Sequence, residues 1–491
     1  MTAIKDLAGQ TVLYGVTTIV GRLLNYLLVP LHTYVFGNPA QYGVVGEMYA
    51  WVSLFIVILT YGMETAYFRY SQIEEYKKRC FSTVVLSLLT SSLIFVVLAT
   101  IFSQQIANGL NYSNHPEYVT WLSIIIGMDA FTSIFFASLR WQMRPLRFAF
   151  VKITNILVNI VFNLFFLLLC PYLLQEKIAP DLVHAVYNTE IGVGYIFVAN
   201  LIASIVTLFM LLPELFKIRI VFDKELWKMM MAYGLPLMIF GLAGIVNETM
   251  DRILLRRLSP PDIAQANVGI YSACYKISIM MTIFIQAFKY AAEPYFFNKS
   301  KDANAKQAYS DIMSIFVMVC SLIFLGIMLY MDIVQYFVSP AYRVGLNIVP
   351  ILLLANLFLG IFYNLSIWYK LTDRTRSGAY ISIMGAVITL GLNALLIPIC
   401  GYLGSAWATF ACYFAMMIVS YFLGQKYYYV DYKVGRIVFY ILLSVSIYLF
   451  STLLNIESMA WRLVFHTILI TFYAITVFFV DKKYILTIIK R

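Results

Sequence analysis

The sequence predicts an all-α membrane protein with fourteen transmembrane helices. Of its 491 residues, 62% are hydrophobic and only 12% are charged, and the mean hydropathy is +0.82. Soluble globular chains average about 45–50% apolar residues, so one soluble core could not bury this much apolar surface. Apolar runs recur along the chain at near-regular spacing, and short polar loops separate them. A segment inside a bilayer must satisfy its own backbone hydrogen bonds, so each run is predicted to be a helix.

The individual spans follow from the length that a bilayer requires, which is about 20 apolar residues. They are predicted at residues 11–36, 44–66, 82–104, 118–139, 148–172, 192–213, 230–255, 268–292, 308–331, 346–369, 378–398, 403–423, 435–454 and 461–480. The first span lacks a convincing cleavage site and is interpreted as retained. The one sizeable external loop, about 173–191, is too short for a soluble catalytic domain.

The basic residues alternate between the two sides of the membrane. On one side they are concentrated in loops at 77–79, 140–147, 217–228, 299–306, 374–376 and 426–436. Both chain termini belong to that side, whereas the opposite loops carry few basic residues. The positive-inside rule therefore predicts that both termini are cytoplasmic. Since the net charge of +11 is spread over loops and not gathered in one stripe, nucleic-acid binding is not expected.

An internal repeat is predicted from three matches between the two halves. Tyr14-Gly15 matches Tyr233-Gly234, residues 39–43 (PAQYG) match the segment 261–269, and Asn163 to Leu167 match Asn393 to Ile397. Six spans per half is an even number, so both halves enter the membrane in the same direction. This predicts two six-helix lobes related by a pseudo-twofold axis along the membrane normal, with a shared site. The predicted domains are 1–229, 230–424 and two additional helices in 425–491.

Known enzyme signatures are missing from the sequence. It has no Walker A loop, no HExxH, no GxSxG with plausible partners and no dinucleotide fingerprint. The six cysteines are dispersed and lack a CxxC motif, and the four histidines are dispersed as well. The sequence therefore predicts a protein that is not an enzyme and that has no metal site or cofactor.

Arg22 and Asn25 are the first candidates for substrate binding. They lie three residues apart on the first span and share a helix face. A central arginine costs roughly 2.5–3.5 kcal/mol on insertion scales, so it should face the interior of a bundle or a wet cavity. We expect it to contact an anion there, and the alternative is that a neighbouring helix neutralises it.

Basic and acidic residues also occur together in the seventh and eighth spans. Glu248 and Arg252 are four residues apart and could pair, whereas the adjacent Asp251 is expected to point elsewhere. Lys276 lies too deep in the eighth span to reach the interface comfortably. Lys289 could snorkel or pair with Glu293 and is therefore discounted.

Three asparagines and one aspartate complete the set of deep polar residues. Asn155, Asn159 and Asn163 recur every four residues, and this stripe could line a sugar-binding cavity or join helices by hydrogen bonds. Asp129 could serve in ion coupling, as could Asp251, or it could neutralise Arg22 or Lys276. The basic side chains suit phosphate, so the expected substrate is a bulky anion with a polar body.

These motifs resemble bacterial Wzx-type polysaccharide-biosynthesis flippases of the multidrug/oligosaccharidyl-lipid/polysaccharide superfamily. The resemblance covers nearly the whole chain. It is carried by Tyr14-Gly15, Pro30, the segments 37–43 and 62–69, Gly234-Leu235-Pro236-Leu237, Asp251-Arg252, Val268 to Tyr271, Tyr275-Lys276, Ala287-Phe288 and Glu293-Pro294.

The resemblance implies two six-helix lobes, two trailing helices and a central cationic cavity. The implied cargo is an oligosaccharide on undecaprenyl pyrophosphate, moved by alternating access across the bacterial inner membrane for O-antigen or capsule synthesis. A polysaccharide polymerase and glycosyltransferases of that pathway are implied partners. Arg22, Arg252 and Lys276 are the implied cavity residues, with Asp251 beside them, although Glu248 and Asp129 depart from a purely basic cavity.

Three other classes of protein are less consistent with the sequence. A cation-coupled multidrug antiporter of the same superfamily would show a cavity dominated by carboxylates. A membrane-embedded polysaccharide polymerase or ligase would rely on a larger external loop with reactive residues. A structural scaffold would leave the buried charges unexplained.

Overall fold

The computed structural model describes residues 15, 17, 19–216, 221–300, 302, 304–454 and 456–480. Within these residues, thirteen helices are long and apolar enough to cross a membrane. The all-α membrane fold is thus confirmed, and the predicted count of fourteen agrees to within one helix. The first predicted span begins outside the described residues. Tyr14, both chain termini and parts of two basic loops (217–220, 301 and 303) also lie outside them.

The helices up to residue 258 alternate between long spans and short connecting pieces. They are α1 (Leu28–Val35), α2 (Pro39–Thr60), α3 (Met63–Tyr70), α4 (Lys77–Ile101), α5 (Ser103–Leu110), α6 (Pro116–Trp141), α7 (Pro145–Leu164), α8 (Cys170–Gln175), α9 (Pro180–Val186), α10 (Gly194–Leu215) and α11 (Lys224–Leu258). A π-helical turn, Phe165–Leu169, connects α7 to α8.

The remaining helices follow the same alternation. They are α12 (Ala264–Lys299), α13 (Ala305–Leu329), α14 (Met331–Val334), α15 (Val349–Leu365), α16 (Ile367–Leu371), α17 (Thr375–Cys400), α18 (Tyr402–Tyr427), α19 (Val434–Leu453) and α20 (Met459–Val480). A 3₁₀ segment, Pro340–Ile348, leads into α15.

Several helices begin at a proline. α2 begins at Pro39, and the Asn38 side chain accepts a hydrogen bond from the backbone N–H of Ala40 at 3.0 Å. α6 and α7 begin at Pro116 and Pro145. Proline suits the first turn because its missing N–H has no intrahelical partner there.

The chain divides into two compact units. The first comprises residues 1–257 and 261–269, and the second comprises 258–260 and 270–491. The core of the first unit contains a buried cluster in which Val84 and Leu88 of α4 pack near Ile134 and Phe135 of α6. The second unit buries Phe316, Leu353 and Trp368, among others.

Two matched corners support the internal repeat. Met143 has φ +55° and Asp373 has φ +56°. In each corner the backbone N–H of the next residue donates a hydrogen bond to a carbonyl five residues earlier. The distances are 2.9 Å from Arg144 N to Leu139 O and 2.8 Å from Arg374 N to Tyr369 O. The two corners therefore correspond, and 373 − 143 gives a spacing of 230 residues.

The matched asparagines have the same spacing, since 393 − 163 is also 230. Both are fully buried, and each donates its Nδ2 hydrogen bond at 2.8 Å to the backbone carbonyl four residues earlier, on Asn159 and Thr389 respectively. The Oδ1 atom of each makes a hydrogen bond to another helix. Asn163 Oδ1 bonds to His32, and Asn393 Oδ1 accepts from Ser405. Asn163 and Asn393 therefore have equivalent structural roles in the two halves.

Candidate functional site

A polar cluster lies at membrane depth within the first unit, on α6, α7 and α10. Ser204 on α10 donates a hydrogen bond of 2.9 Å to the Asp129 carboxylate on α6. Lys152 on α7 interacts electrostatically with that carboxylate, and its Nζ lies 4.2 Å from the centroid of the Phe136 ring. The base beside Asp129 is therefore Lys152, whereas the sequence analysis considered Arg22 or Lys276 for that role. We call Asp129, Lys152 and Ser204 the Asp129 cluster.

A second ion pair lies close to the Asp129 cluster. Arg140 at the end of α6 donates to the Glu64 carboxylate on α3 at 2.6 Å. Lys152 interacts electrostatically with both members of this pair as well as with Asp129. Two carboxylates, Asp129 and Glu64, thus face two cations, Arg140 and Lys152. Formal charges balance in this part of the first unit.

The asparagine stripe on α7 makes hydrogen bonds to neighbouring helices. Asn155 donates to Thr207 Oγ1 on α10 at 2.9 Å, and Asn163 binds His32 on α1 at 2.8 Å. Asn159 accepts from Asn163 through both its carbonyl and its side-chain oxygen. Of the two interpretations of this stripe, these contacts favour helix-joining hydrogen bonds at Asn155 and Asn163. Asn159 accepts hydrogen bonds from its own helix, and its side-chain amide is therefore the better candidate for a substrate contact.

Asp251 and Arg252 on α11 form a tight ion pair. Arg252 Nη1 lies 3.0 Å from Asp251 Oδ1 and donates at 2.9 Å to the backbone carbonyl of Glu248. The expectation that Asp251 points away from Arg252 was wrong, because the long arginine side chain folds back over the turn. The Arg252 guanidinium also lies near the buried Tyr42 phenol of α2. Asp251 is almost fully buried, so this pair is shielded from water.

Arg22 and Asn25 are exposed on the helical segment 19–26 of the first unit. That segment is held against α7, because a Cβ on Gly21 would approach the Ile156 side chain to 2.6 Å. Lys276 belongs to the second unit, where it is half-buried on α12. Two of the eight predicted site residues, Asp129 and Asn155, therefore lie on adjoining helices. Two others, Asp251 and Arg252, form an ion pair with each other.

A buried group that sequence analysis missed surrounds Glu47 on α2. Glu47 is fully buried, accepts a 2.5 Å hydrogen bond from the Tyr112 hydroxyl, and lies 3.6 Å from Arg256 Nε. Gln265 Oε1 lies 3.1 Å from the same hydroxyl. Burial, together with the Glu47 carboxylate, raises the pKa of the Tyr112 phenol, so Tyr112 stays neutral and donates. We call Glu47, Tyr112, Arg256 and Gln265 the Glu47 cluster.

The sequence did contain a signal for this cluster. Glu47 lies inside the predicted span 44–66, and an acidic residue there calls for a partner. The partners come from three distant segments, so the sequence alone could not identify them.

Comparisons with known proteins identify the family and the fold. The family model described as "Polysaccharide biosynthesis protein" matches residues 7–300. No curated protein is significantly similar to the chain in sequence.

Several solved structures share the fold. The lipid II flippase MurJ in an inward closed conformation is 14% identical with a TM-score of 0.75, over 96% of this chain and 100% of that chain. An inward-facing multidrug resistance MATE family transporter of the MOP superfamily is 15% identical with a TM-score of 0.65, over 84% of this chain and 94% of that chain. An outward-facing MATE transporter is 16% identical with a TM-score of 0.58, over 85% and 95%.

Proposed function

Because this chain belongs to the polysaccharide biosynthesis protein family, we propose that it is a flippase for a lipid-linked oligosaccharide. Its cargo is an oligosaccharide repeat unit on undecaprenyl pyrophosphate, carried from the cytoplasmic to the outer leaflet by alternating access. The observation that carries this proposal is the family match over residues 7–300. The fold supports it, since a flippase of lipid II shares that fold.

The proposed phosphate contacts are basic side chains at membrane depth. Arg22 is exposed on its helix, and Arg252 is oriented by Asp251 and by the Glu248 carbonyl. A guanidinium binds phosphate through two parallel hydrogen bonds, whereas the ammonium of Lys276 would act as a point charge. Asn25 and Asn159 are proposed to meet the sugar hydroxyls, whereas Asn155 is already bonded to Thr207. The pairing of Arg252 with Asp251 lowers its net charge, so Arg22, which is exposed on its helix, carries more of this proposal.

The setting proposed for this activity is the bacterial inner membrane, with both termini in the cytoplasm. The chain spans the membrane many times, and its basic loops alternate with loops poor in basic residues. Glycosyltransferases would supply the lipid-linked repeat unit, and a polysaccharide polymerase would consume it. The O-antigen or capsule is the proposed end product.

The second candidate function is cation-coupled export of drugs, which the MATE-like fold supports. The Asp129 carboxylate is half-buried and accepts a hydrogen bond from Ser204. A carboxylate in such a position can exchange a proton or bind a monovalent cation. Asp251 is the weaker candidate for ion coupling, because Arg252 already neutralises it. In the flippase proposal the same Asp129 couples an ion gradient to movement of the glycolipid.

Reconstitution into proteoliposomes tests the two functions against each other. One preparation contains a fluorescent undecaprenyl-diphosphate oligosaccharide, and outer-leaflet label is read by a membrane-impermeant quencher. The other contains a cationic dye, and its uptake is followed with and without a sodium or proton gradient. The flippase proposal expects movement of the glycolipid above protein-free vesicles and no dye uptake. Dye uptake without glycolipid movement would overturn it.

A further inference from the structure

A cleft in the second unit brings two lysines and one glutamate together. It lies where α12 packs against α15 and α16. Lys370 Nζ is 2.5 Å from Glu293 Oε1, and Lys289 Nζ lies 4.8 Å from the centroid of the Tyr363 ring. The sequence left open whether Lys289 snorkels or pairs with Glu293; Lys370 makes the close ion pair with that carboxylate, and Lys289 interacts with it electrostatically. Among the described residues that line the cleft, Glu293 is the only carboxylate, so the cleft carries one excess positive charge.

The ion pair of this cleft has an equivalent in the first unit. Arg140 lies three residues before the Met143 corner and pairs with Glu64, just as Lys370 lies three residues before the Asp373 corner and pairs with Glu293. In each unit another lysine lies over an aromatic ring beside the pair, Lys152 in the first unit and Lys289 in the second. Only the ion pairs correspond in the repeat, because Lys152 follows the Met143 corner on α7 whereas Lys289 lies on α12, before the Asp373 corner.

The first unit balances its extra lysine with a fourth group, Asp129. Asp129 lies 14 residues before Met143, and the residue 14 positions before Asp373 is Leu359. The whole segment Pro340–Leu371 lacks an acidic residue. The cleft lining thus offers its two lysines a single carboxylate, Glu293, and an anion from outside the chain would balance the second lysine.

The shape of the cleft suits the phosphate of a lipid. Its free space is about 340 Å³, including the part that is open to solvent. Ile285, Phe288, Phe296 and Ile367 form apolar walls beside the two lysines.

A buried polar atom in the same cleft lacks a partner. Asn364 is 6% exposed, its Nδ2 donates to the Gly360 carbonyl at 3.2 Å, and its Oδ1 has no hydrogen-bond partner. A buried acceptor without a partner is costly, at about 1–3 kcal/mol. A water bound beneath an anion would donate to this atom.

We propose that this cleft binds the phosphate of an anionic lipid between Lys289 and Lys370. The phosphate belongs either to the diphosphate of the transported glycolipid, a source that rests on the proposed function, or to a membrane phospholipid. Both sources share the chemistry of a phosphate oxygen that accepts from two ammonium groups. A water between the phosphate and Asn364 Oδ1 would donate to that buried acceptor.

Native mass spectrometry of the full chain in maltoside micelles tests this site. The probes are undecaprenyl diphosphate, phosphatidylglycerol and, as a phosphate-free control, dioleoylglycerol. Lys289→Gln removes the uncompensated charge, and Asn364→Asp supplies a compensating carboxylate at nearly constant volume. We expect either change to weaken binding of at least one phosphate lipid by about tenfold or more. Lys289→Arg should keep the binding and shows that the position tolerates substitution.

Lys306→Gln is the matched control. Lys306 also lies in the second unit over an aromatic ring, 5.0 Å from the centroid of Tyr428, but it does not line the cleft. Its substitution should leave binding unchanged. Equal binding by the wild type, Lys289→Gln and Asn364→Asp would overturn the proposal, as would equal retention of dioleoylglycerol.

The two lipid probes distinguish the sources. Binding of undecaprenyl diphosphate that is lost in the variants assigns the cleft to the cargo, whereas binding of phosphatidylglycerol alone assigns it to a membrane lipid. The proposed function is tested separately by glycolipid movement in proteoliposomes. If the wild-type chain moves no glycolipid but the Lys289→Gln variant binds phosphate lipid less tightly than the wild type, the proposed function is refuted and this site is supported.

Discussion

Gly43 and Gly269, both in the first unit, lie against each other in close backbone contact. A Cβ on Gly43 would come within 2.0 Å of the Gln265 carbonyl oxygen, and a Cβ on Gly269 within 1.9 Å of the Pro39 carbonyl oxygen. Each glycine thus meets the carbonyl four residues before the other, which is a local twofold arrangement. The two motifs that suggested an internal repeat, residues 39–43 and 261–269, are in direct contact here.

Substitution of Gly269 by alanine should destabilise the first unit. Because the added methyl group would meet backbone, not a flexible side chain, the helices must separate, and overpacking of this kind typically costs about 1–3 kcal/mol. We expect a lower melting temperature in a thermal-stability assay on detergent-solubilised protein.

Gly244→Ala is the control for that experiment. Gly244 is exposed on α11, and a Cβ added there would meet nothing within 4 Å. Alanine favours a helix over glycine by about 1 kcal/mol, so this variant should be as stable as the wild type or more stable. Equal melting temperatures for Gly269→Ala and the wild type would contradict the close approach.

Substitution of Glu47 by glutamine should destabilise the protein more than loss of its hydroxyl partner does. The change leaves Arg256, which is 13% exposed, without its carboxylate. Breaking a buried ion pair typically costs about 3–5 kcal/mol. Tyr112→Phe removes one hydrogen bond and keeps the ion pair, so we expect a smaller loss. Thermal unfolding of both variants tests this order, and a Tyr112→Phe variant less stable than Glu47→Gln would refute it.

Neutralisation of Asp129 should reduce transport without removing the protein from the membrane. Asp129→Asn keeps the side-chain volume and can still accept from Ser204, but it leaves Lys152 without its balancing charge. If Asp129 couples an ion, we expect transport to fall about tenfold or more, as for loss of a proton-transfer group. Ser204→Ala is the comparison, since it removes the hydrogen bond and keeps the carboxylate. Full transport by Asp129→Asn would show that the carboxylate is structural.

Neutralisation of Arg22 or Lys276 should abolish export of surface polysaccharide while the protein remains at normal abundance. Arg22→Ala and Lys276→Gln each remove a proposed phosphate contact. Arg22→Lys should recover only part of the activity, because the planar fork of the guanidinium is lost. Export is measured by surface polysaccharide in a strain that depends on this chain, and abundance by immunoblot of membranes. Normal export by both neutral variants would exclude them from the site.

The sequence predicted the class of fold because two constraints act locally along the chain. They are the hydrophobicity of each segment and the need to satisfy its backbone hydrogen bonds within the membrane. Each apolar run had to become a helix, and the charged loops marked where runs end. The repeat was also visible, since Asn163 and Asn393 occupy equivalent buried positions with the same hydrogen bonds.

The partner of each buried charge was decided only by the tertiary structure. Sequence spacing suggested Glu248 for Arg252 and Glu293 for Lys289, yet the structure pairs Arg252 with Asp251 and Lys370 with Glu293. Neighbours along a helix are limited to a few positions, whereas a charge in a medium of low polarity pairs with whichever opposite charge lies closest in space. Glu47 shows this most clearly, because Tyr112, Arg256 and Gln265 reach it from segments far apart in the chain. The sequence thus determined a bundle of membrane helices with charges inside it, and the packing of those helices decided which charges are neutralised and which remain available to a ligand.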